Sequence, residues 1–189
     1  NHGTKMVPWV GVAARVPYAN VGGDAGELET AITPRRDAGK GGDVDNNLDG
    51  RAFCFLPLPI RTGLPVHVNG YFELSSNRRD IWYGGDMSGA GAARSSWNVA
   101  LMADALAPCY ARVIVAVARR LGPGQQLYGL LPSLDTPQPW SHLVSALYQQ
   151  HLGTLPIVWT RAGGGRWISP TETLFSDAAC AAEPLLRNL

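Results

Sequence analysis

The stretch Val66–Asp80, VHVNGYFELSSNRRD, decides the fold expected for this chain. It alternates apolar and polar residues, and this period of two is typical of a β-strand with one buried face. The apolar set is Val66, Val68, Phe72 and Leu74, and the polar set is His67, Asn69, Tyr71 and Glu73. The stretch therefore predicts a half-buried strand that delivers an amide, two arginines and a carboxylate to its own end.

Two further strands are predicted before this stretch. Residues 7–16 are short and rich in β-branched residues, which favours a buried strand. Residues 52–58 form a second strand, and Pro57 and Pro59 place it at an edge of the sheet or make it irregular. The short turn at 62–65 contains glycine and proline, so it is expected to join residues 52–58 to the quoted stretch as an antiparallel pair.

Helices are predicted in the second half of the chain. Apolar residues recur at steps of three and four from Val99 to Leu121, and Ser95 or Ser96 is the expected cap of this helix. Pro108 should kink it near 104–108, because proline lacks the backbone donor. A second helix at 139–152 and a hairpin of residues 157–160 and 166–168 follow. This order predicts an α+β fold, with a small, mainly antiparallel sheet and helices packed on one face.

The length of 189 residues, 46% of them hydrophobic, suits a single α+β domain over residues 1–189. Glycine and acidic residues dominate residues 20–50, which predicts a flexible loop there. The start of the sequence runs into a strand-like stretch without an initiating methionine, and this looks like a piece of a longer polypeptide.

Charge and cysteine usage exclude several classes of function. Sixteen Lys and Arg against fifteen Asp and Glu give no basic surface for nucleic acid, and no membrane-spanning stretch is expected. The three cysteines lack the spacing of a metal site, and with the histidines they match no catalytic signature. The glycines at 84–93 are read as a linker, with a mobile lid beside a phosphate site as the alternative.

The run Asn77-Arg78-Arg79-Asp80 is the remaining candidate site, and two interpretations stay open. One is a solvated end of a strand. The other is a pair of arginines that stabilise a phosphate transition state, with the Asp80 carboxylate orienting one of them by a hydrogen bond.

Four blocks of the sequence resemble consecutive parts of a sacsin repeat. They are KMVPWVGVAA at 5–14, GRAFCFLPLPIRTGLPVHVNGYFELSSNRRDIW at 50–82, WNVALMADALAPCYARVI at 97–114 and WTRAGGGRWISPTETLFSD at 159–177. The sacsin family consists of very large cytosolic, chaperone-type proteins whose repeats resemble the ninety-kilodalton heat-shock chaperone. The resemblance therefore implies a cytoplasmic protein that acts in protein folding or quality control.

The resemblance also implies a specific role for this chain. It would follow a nucleotide-binding domain of the gyrase, heat-shock, histidine-kinase and MutL superfamily and resemble that superfamily's second domain. In that superfamily the second domain supplies a basic residue to the terminal phosphate, but no motif matches this residue to Arg78 or Arg79. The polar run itself makes Arg78 and Arg79 the candidate phosphate contacts, with Asn77, Asp80 and Trp82 as candidate binding residues. The chain lacks the adenine and magnesium motifs, so ATP and magnesium would belong to the preceding domain, and the chain alone is not expected to be an enzyme.

The partners implied are client or co-chaperone proteins and neighbouring domains of the same chain. The alternative is a protein-binding scaffold module without nucleotide turnover, in which Arg78, Arg79 and Trp82 contact a partner.

Overall fold

The computed structural model describes residues 7–16, 48–84 and 88–173. It confirms an α+β fold of two small sheets and several helices. The strands are β1 Val10–Ala13, β2 Arg51–Cys54, β3 Leu56–Arg61, β4 His67–Gly70, β5 Val158–Thr160 and β6 Arg166–Ile168. The α-helices are α1 Ala90–Ala100, α2 Ala107–Leu121, α3 Gln125–Tyr128 and α4 Ser141–Ala146. Nearly all of the loop predicted at 20–50 lies outside the described residues.

The main sheet has the strand order β1-β4-β2-β3. β4 pairs antiparallel with β1 and parallel with β2, while β2 and β3 form a hairpin. The expected antiparallel pairing of 52–58 with the quoted stretch was wrong, because the chain reverses at Phe55. β3, which carries Pro57 and Pro59, lies at the edge of the sheet, and this confirms the edge position that the two prolines predicted.

The alternation that predicted β4 is confirmed by burial. Val66 and Val68 are fully buried and Phe72 is 5% exposed, while the intervening His67, Asn69 and Tyr71 are half-buried. Regular strand pairing ends at Gly70, earlier than expected, although the alternation continues through Phe72. The buried face packs on the long helix, and a Cβ on Gly70 would lie 3.2 Å from the Leu101 side chain.

The long helix is continuous from α1 to α2 through a π-helical segment at Leu101–Leu106. This segment stands directly before Pro108, where the kink was expected, and wider i→i+5 bonding accommodates the missing donor of the proline. The helix begins at Ala90. The expected cap at Ser95 or Ser96 is therefore wrong, and the Ser95 hydroxyl instead bonds the backbone of Gly84.

By length and composition alone, the helix Ala90–Leu121 could cross a bilayer, contrary to the expectation that no such stretch exists. Its most apolar 18-residue window has a mean hydropathy of 1.6. Core helices of soluble proteins have the same property, so this finding carries no argument about location.

The rest of the core joins the long helix to α4 and the sheet. Trp140 is 1% exposed and its ring meets Phe72 edge-to-face, with centroids 5.7 Å apart. The buried Tyr110 hydroxyl donates to the Leu130 carbonyl, and burial together with nearby Tyr148 raises the pKa of Tyr110. The predicted second helix is present as α4 and continues as a π-helical and a 3-10 turn to Thr154. The predicted hairpin is confirmed as β5 and β6.

Candidate functional site

The polar run 77–80 forms a tight turn between Leu74 and Ile81, which pair as an isolated antiparallel bridge. Ser75 closes this turn with its N–H, which donates to the Asp80 carbonyl at 2.9 Å. Asn77 Oδ1 accepts hydrogen bonds from the Ser75 hydroxyl at 2.7 Å and from the Arg79 N–H at 3.0 Å. The turn is therefore fixed by its own polar side chains, and Asn77 acts within it as a structural acceptor.

Helix α1 holds the segment that carries this turn. Asn98 is fully buried; its Oδ1 accepts from the Glu73 N–H at 2.9 Å, and its Nδ2 donates to the Glu73 and Trp82 carbonyls at 2.9 and 2.8 Å. Trp97 adds an indole bond to the Tyr71 carbonyl at 2.9 Å. Both ends of the turn are thus attached to the protein core.

Arg78 reaches from this turn to the bend between β2 and β3. Its Nη2 donates to the Cys54 carbonyl at 3.2 Å. The N–H of the same peptide group, that of Phe55, donates to Asn69 Oδ1 at 3.2 Å. The bend at Phe55 is therefore held by two side chains, one from β4 and one from the turn.

Phe55 and Arg78 are also the two non-glycine residues with positive φ in the described part of the chain, at 60° and 56°. A left-handed conformation costs roughly 1–2 kcal/mol for a residue with a Cβ, so it persists only where surrounding contacts enforce it. The bond from Arg78 to Cys54 connects these two strained positions. In this conformation 60% of Phe55 is exposed to solvent.

Phe55 belongs to a cluster of three rings, which we call the aromatic surface: Trp9, Phe55 and Tyr71. The Trp9 and Phe55 rings stack with centroids 5.5 Å apart and planes 10° apart. The Tyr71 ring packs against both, and its centroid lies 4.7 Å from that of Phe55 and 5.5 Å from that of Trp9. The neighbouring Val7 and Leu56 are 44% and 65% exposed, so this end of the sheet presents an apolar area to solvent.

The remaining predicted site residues take different places. Arg79 and Asp80 are exposed on the turn. The hydrogen bond expected from an arginine to the Asp80 carboxylate is absent among the described residues, since Asp80 contributes only backbone groups to the turn. Trp82 is half-buried: its indole N–H donates to the Leu74 carbonyl at 2.9 Å, and the Arg94 guanidinium lies 5.5 Å from its ring centroid.

This region exposes aromatic rings and guanidinium groups. Across residues 7–16, 48–84 and 88–173, no group of three His, Cys, Asp or Glu residues could hold a metal ion. Arg78 connects the predicted polar run to the aromatic surface through its bond to the Cys54 carbonyl beside Phe55. Trp9, Phe55 and Asn69 were not predicted as site residues. The proximity of Trp9, Phe55 and Tyr71 comes from strand pairing, and the one local signal was Pro57, two residues after Phe55, which indicated an irregular strand.

A comparison with curated proteins supports the resemblance read from the sequence. The chain is 41% identical over 108 residues, 57% of its length, to "Sacsin" from Homo sapiens. The chain spans about 2% of the length of that relative. No family model matches the chain, and no solved structure matches it. The predicted likeness to the second domain of the ATPase superfamily stays a prediction. The identity confirms the resemblance itself: over these 108 residues the chain is similar to sacsin.

Proposed function

We propose that this chain is a protein-binding module of the sacsin type and that the aromatic surface contacts client proteins during folding or quality control. The observation that carries the proposal is the bend at Phe55. A bulky apolar residue occupies a left-handed conformation, largely in solvent, and Asn69 and Arg78 hold it there. A protein that used this position only as a turn would place glycine or asparagine there.

The composition of the aromatic surface supports a protein as the partner. Aromatic side chains with few rotatable bonds bury large areas at a low entropic cost, which is why they dominate the energetic centres of interfaces. Trp9, Phe55 and Tyr71 are already packed against one another, so little further ordering is needed on binding. Arg78, which reaches the Cys54 carbonyl beside Phe55, and the exposed Arg79 add donors for the carbonyl or carboxylate groups of a partner.

The test replaces Phe55 by asparagine, which tolerates the left-handed conformation and removes the ring. We expect binding of a fluorescently labelled, reduced and alkylated polypeptide to weaken on the order of tenfold or more, because the most exposed ring of the cluster is lost. Thermal stability should stay within about 1 kcal/mol of the parent, because an exposed side chain is replaced. Fluorescence anisotropy measures the first effect and thermal unfolding the second.

Leu134→Asn is the matched control, because Leu134 is an exposed apolar residue, 74% accessible, that does not belong to the aromatic surface. It should bind the labelled polypeptide like the parent. Equal binding by the parent and Phe55→Asn would contradict the proposal, as would an equal loss in both variants.

A second candidate function is the coupling to ATP hydrolysis that the sacsin resemblance implied, and the position of Arg79 favours it. Its guanidinium is exposed on a fixed turn and has no acidic partner within ion-pair distance among the described residues. Arg78 is less available for phosphate because it binds the Cys54 carbonyl. Arg79 is therefore the better candidate for a contact with phosphates held by a preceding domain.

The corresponding experiment uses a version of the protein that extends through the nucleotide-binding domain. Arg79→Ala should lower ATP turnover on the order of 10³-fold if this guanidinium stabilises the transition state. Arg120→Ala, which removes an exposed arginine at the end of α2, is the control and should keep the parent rate. Parent turnover in a folded Arg79→Ala protein would rule out the phosphate role and leave the turn as part of a binding surface.

A further inference from the structure

We infer that a groove along α2 binds an acidic, amphipathic helix of a partner protein. This groove has a volume of about 550 Å³ and lies where α2 meets the chain that follows α4. Its apolar lining includes the small or branched side chains of Ala111, Val115, Ala116 and Leu155. It is separate in sequence and in its lining residues from the aromatic surface, so this inference goes beyond the function proposed above.

The permanently charged side chains that line the groove are both arginines. Arg112, Arg119 and His151 line it together with the apolar side chains, and no acidic residue lines it within the described part of the chain. Arg112 and Arg119 are exposed and form no ion pair with a described acidic residue. Their charges are therefore available to a ligand, and the complementary ligand is an anion.

The spacing of the two arginines specifies the shape of that ligand. Arg112 and Arg119 are seven residues apart on one helix, so they share a face and lie about 10 Å apart along the axis. A helix that carries carboxylates at positions i and i+7 presents the same spacing. Guanidinium groups bind carboxylates with two parallel hydrogen bonds, which a point charge cannot reproduce.

The lining between the arginines fits the apolar face of such a helix. Ala111 and Ala116 project little, so a partner helix can approach to the usual interaxial distance of about 8–10 Å. Val115 and Leu155 give it apolar contacts on either side. Binding of an amphipathic helix in an apolar groove is a recurring mode of peptide recognition, with anchors at i, i+3 or i+4 and i+7.

The test uses a labelled synthetic helical peptide with leucines along one face and glutamates seven residues apart, together with the same peptide carrying glutamines. We expect the parent protein to bind the glutamate peptide, and Arg119→Glu to weaken this binding about tenfold. Arg120→Glu makes the same change of charge at the next residue, which does not line the groove, so it should weaken binding much less. A peptide in which lysine replaces the glutamate opposite position 119, while the other glutamate stays opposite Arg112, should regain affinity for the Arg119→Glu protein. All affinities are read by fluorescence anisotropy.

Equal weakening by Arg119→Glu and Arg120→Glu would show diffuse attraction between charges and overturn the inference. Equal binding of the glutamate and glutamine peptides by the parent protein, or no binding of either, would overturn it as well. Circular dichroism of each variant confirms that the exposed substitutions leave the helix intact.

Discussion

Replacing Gly50 by alanine is expected to lower the free energy of unfolding by about 3 kcal/mol or to prevent folding. A Cβ at this position would lie 2.2 Å from the Leu64 carbonyl oxygen, 2.4 Å from that of Val66 and 2.7 Å from the Thr62 hydroxyl. The two nearest atoms belong to the backbone and cannot rotate away. The Gly50 N–H also donates to the Leu64 carbonyl at 3.0 Å, so moving Gly50 outward would break a backbone hydrogen bond.

Urea unfolding followed by fluorescence measures this effect, and Gly11→Ala is the matched control. Gly11 is also a glycine of the sheet region, in β1, but nothing lies within 4 Å of a Cβ built there. The control should change stability by less than about 1 kcal/mol. Similar stability of both variants would show that the segment after β3 is free to move away from Gly50.

The elements that the sequence predicted well have local patterns with physical causes. Alternation from Val66 to Phe72 gave the buried face of β4, because a sheet that packs on a helix must bury one side. The recurrence from Val99 to Leu121 gave the long helix, and Pro108 gave the position of its irregularity. These signals depend on residues close together in sequence, so they can be read without the fold.

The pairing of the strands was not readable in the same way. Residues 52–58 look like one strand, since Phe55 is a good strand former and no glycine marks a bend. The reversal at Phe55 depends on contacts from Asn69 and Arg78, which lie 14 and 23 residues later in the sequence. Local propensity is overridden here by tertiary contacts, and this position carries the proposed function.

The candidate site was predicted in one part and missed in another. The arginine run is exposed, as one interpretation expected, but it lies in a turn between Leu74 and Ile81 and not at a strand end; its contact with phosphate stays a prediction. The role of Arg78 in holding the β2–β3 bend was not anticipated, because its acceptor is the backbone carbonyl of Cys54. A carbonyl has no sequence signature, since every residue carries one.

Replacing Asn98 by alanine is expected to cost about 3–5 kcal/mol of stability, because it removes three hydrogen bonds from a fully buried side chain. The Glu73 N–H and carbonyl and the Trp82 carbonyl would lose their Asn98 partner. Asn98→Asp should lower stability by a similar amount. Its carboxylate can still accept from the Glu73 N–H, but it has no donor for the Glu73 and Trp82 carbonyls and would be buried against both oxygens. Urea unfolding of both variants measures these losses.

Ser95→Ala is the control for Asn98, since Ser95 is a buried polar residue of the same helix that bonds only the Gly84 backbone. Its expected cost is about 1 kcal/mol. Asn98 also attaches both ends of the turn that carries Arg78, so folded Asn98→Ala protein at low temperature should bind the labelled polypeptide more weakly than the parent. Parent-like stability of Asn98→Ala would mean that the segment from Glu73 to Trp82 is held by its own turn. The support of the Phe55 bend would then not depend on α1.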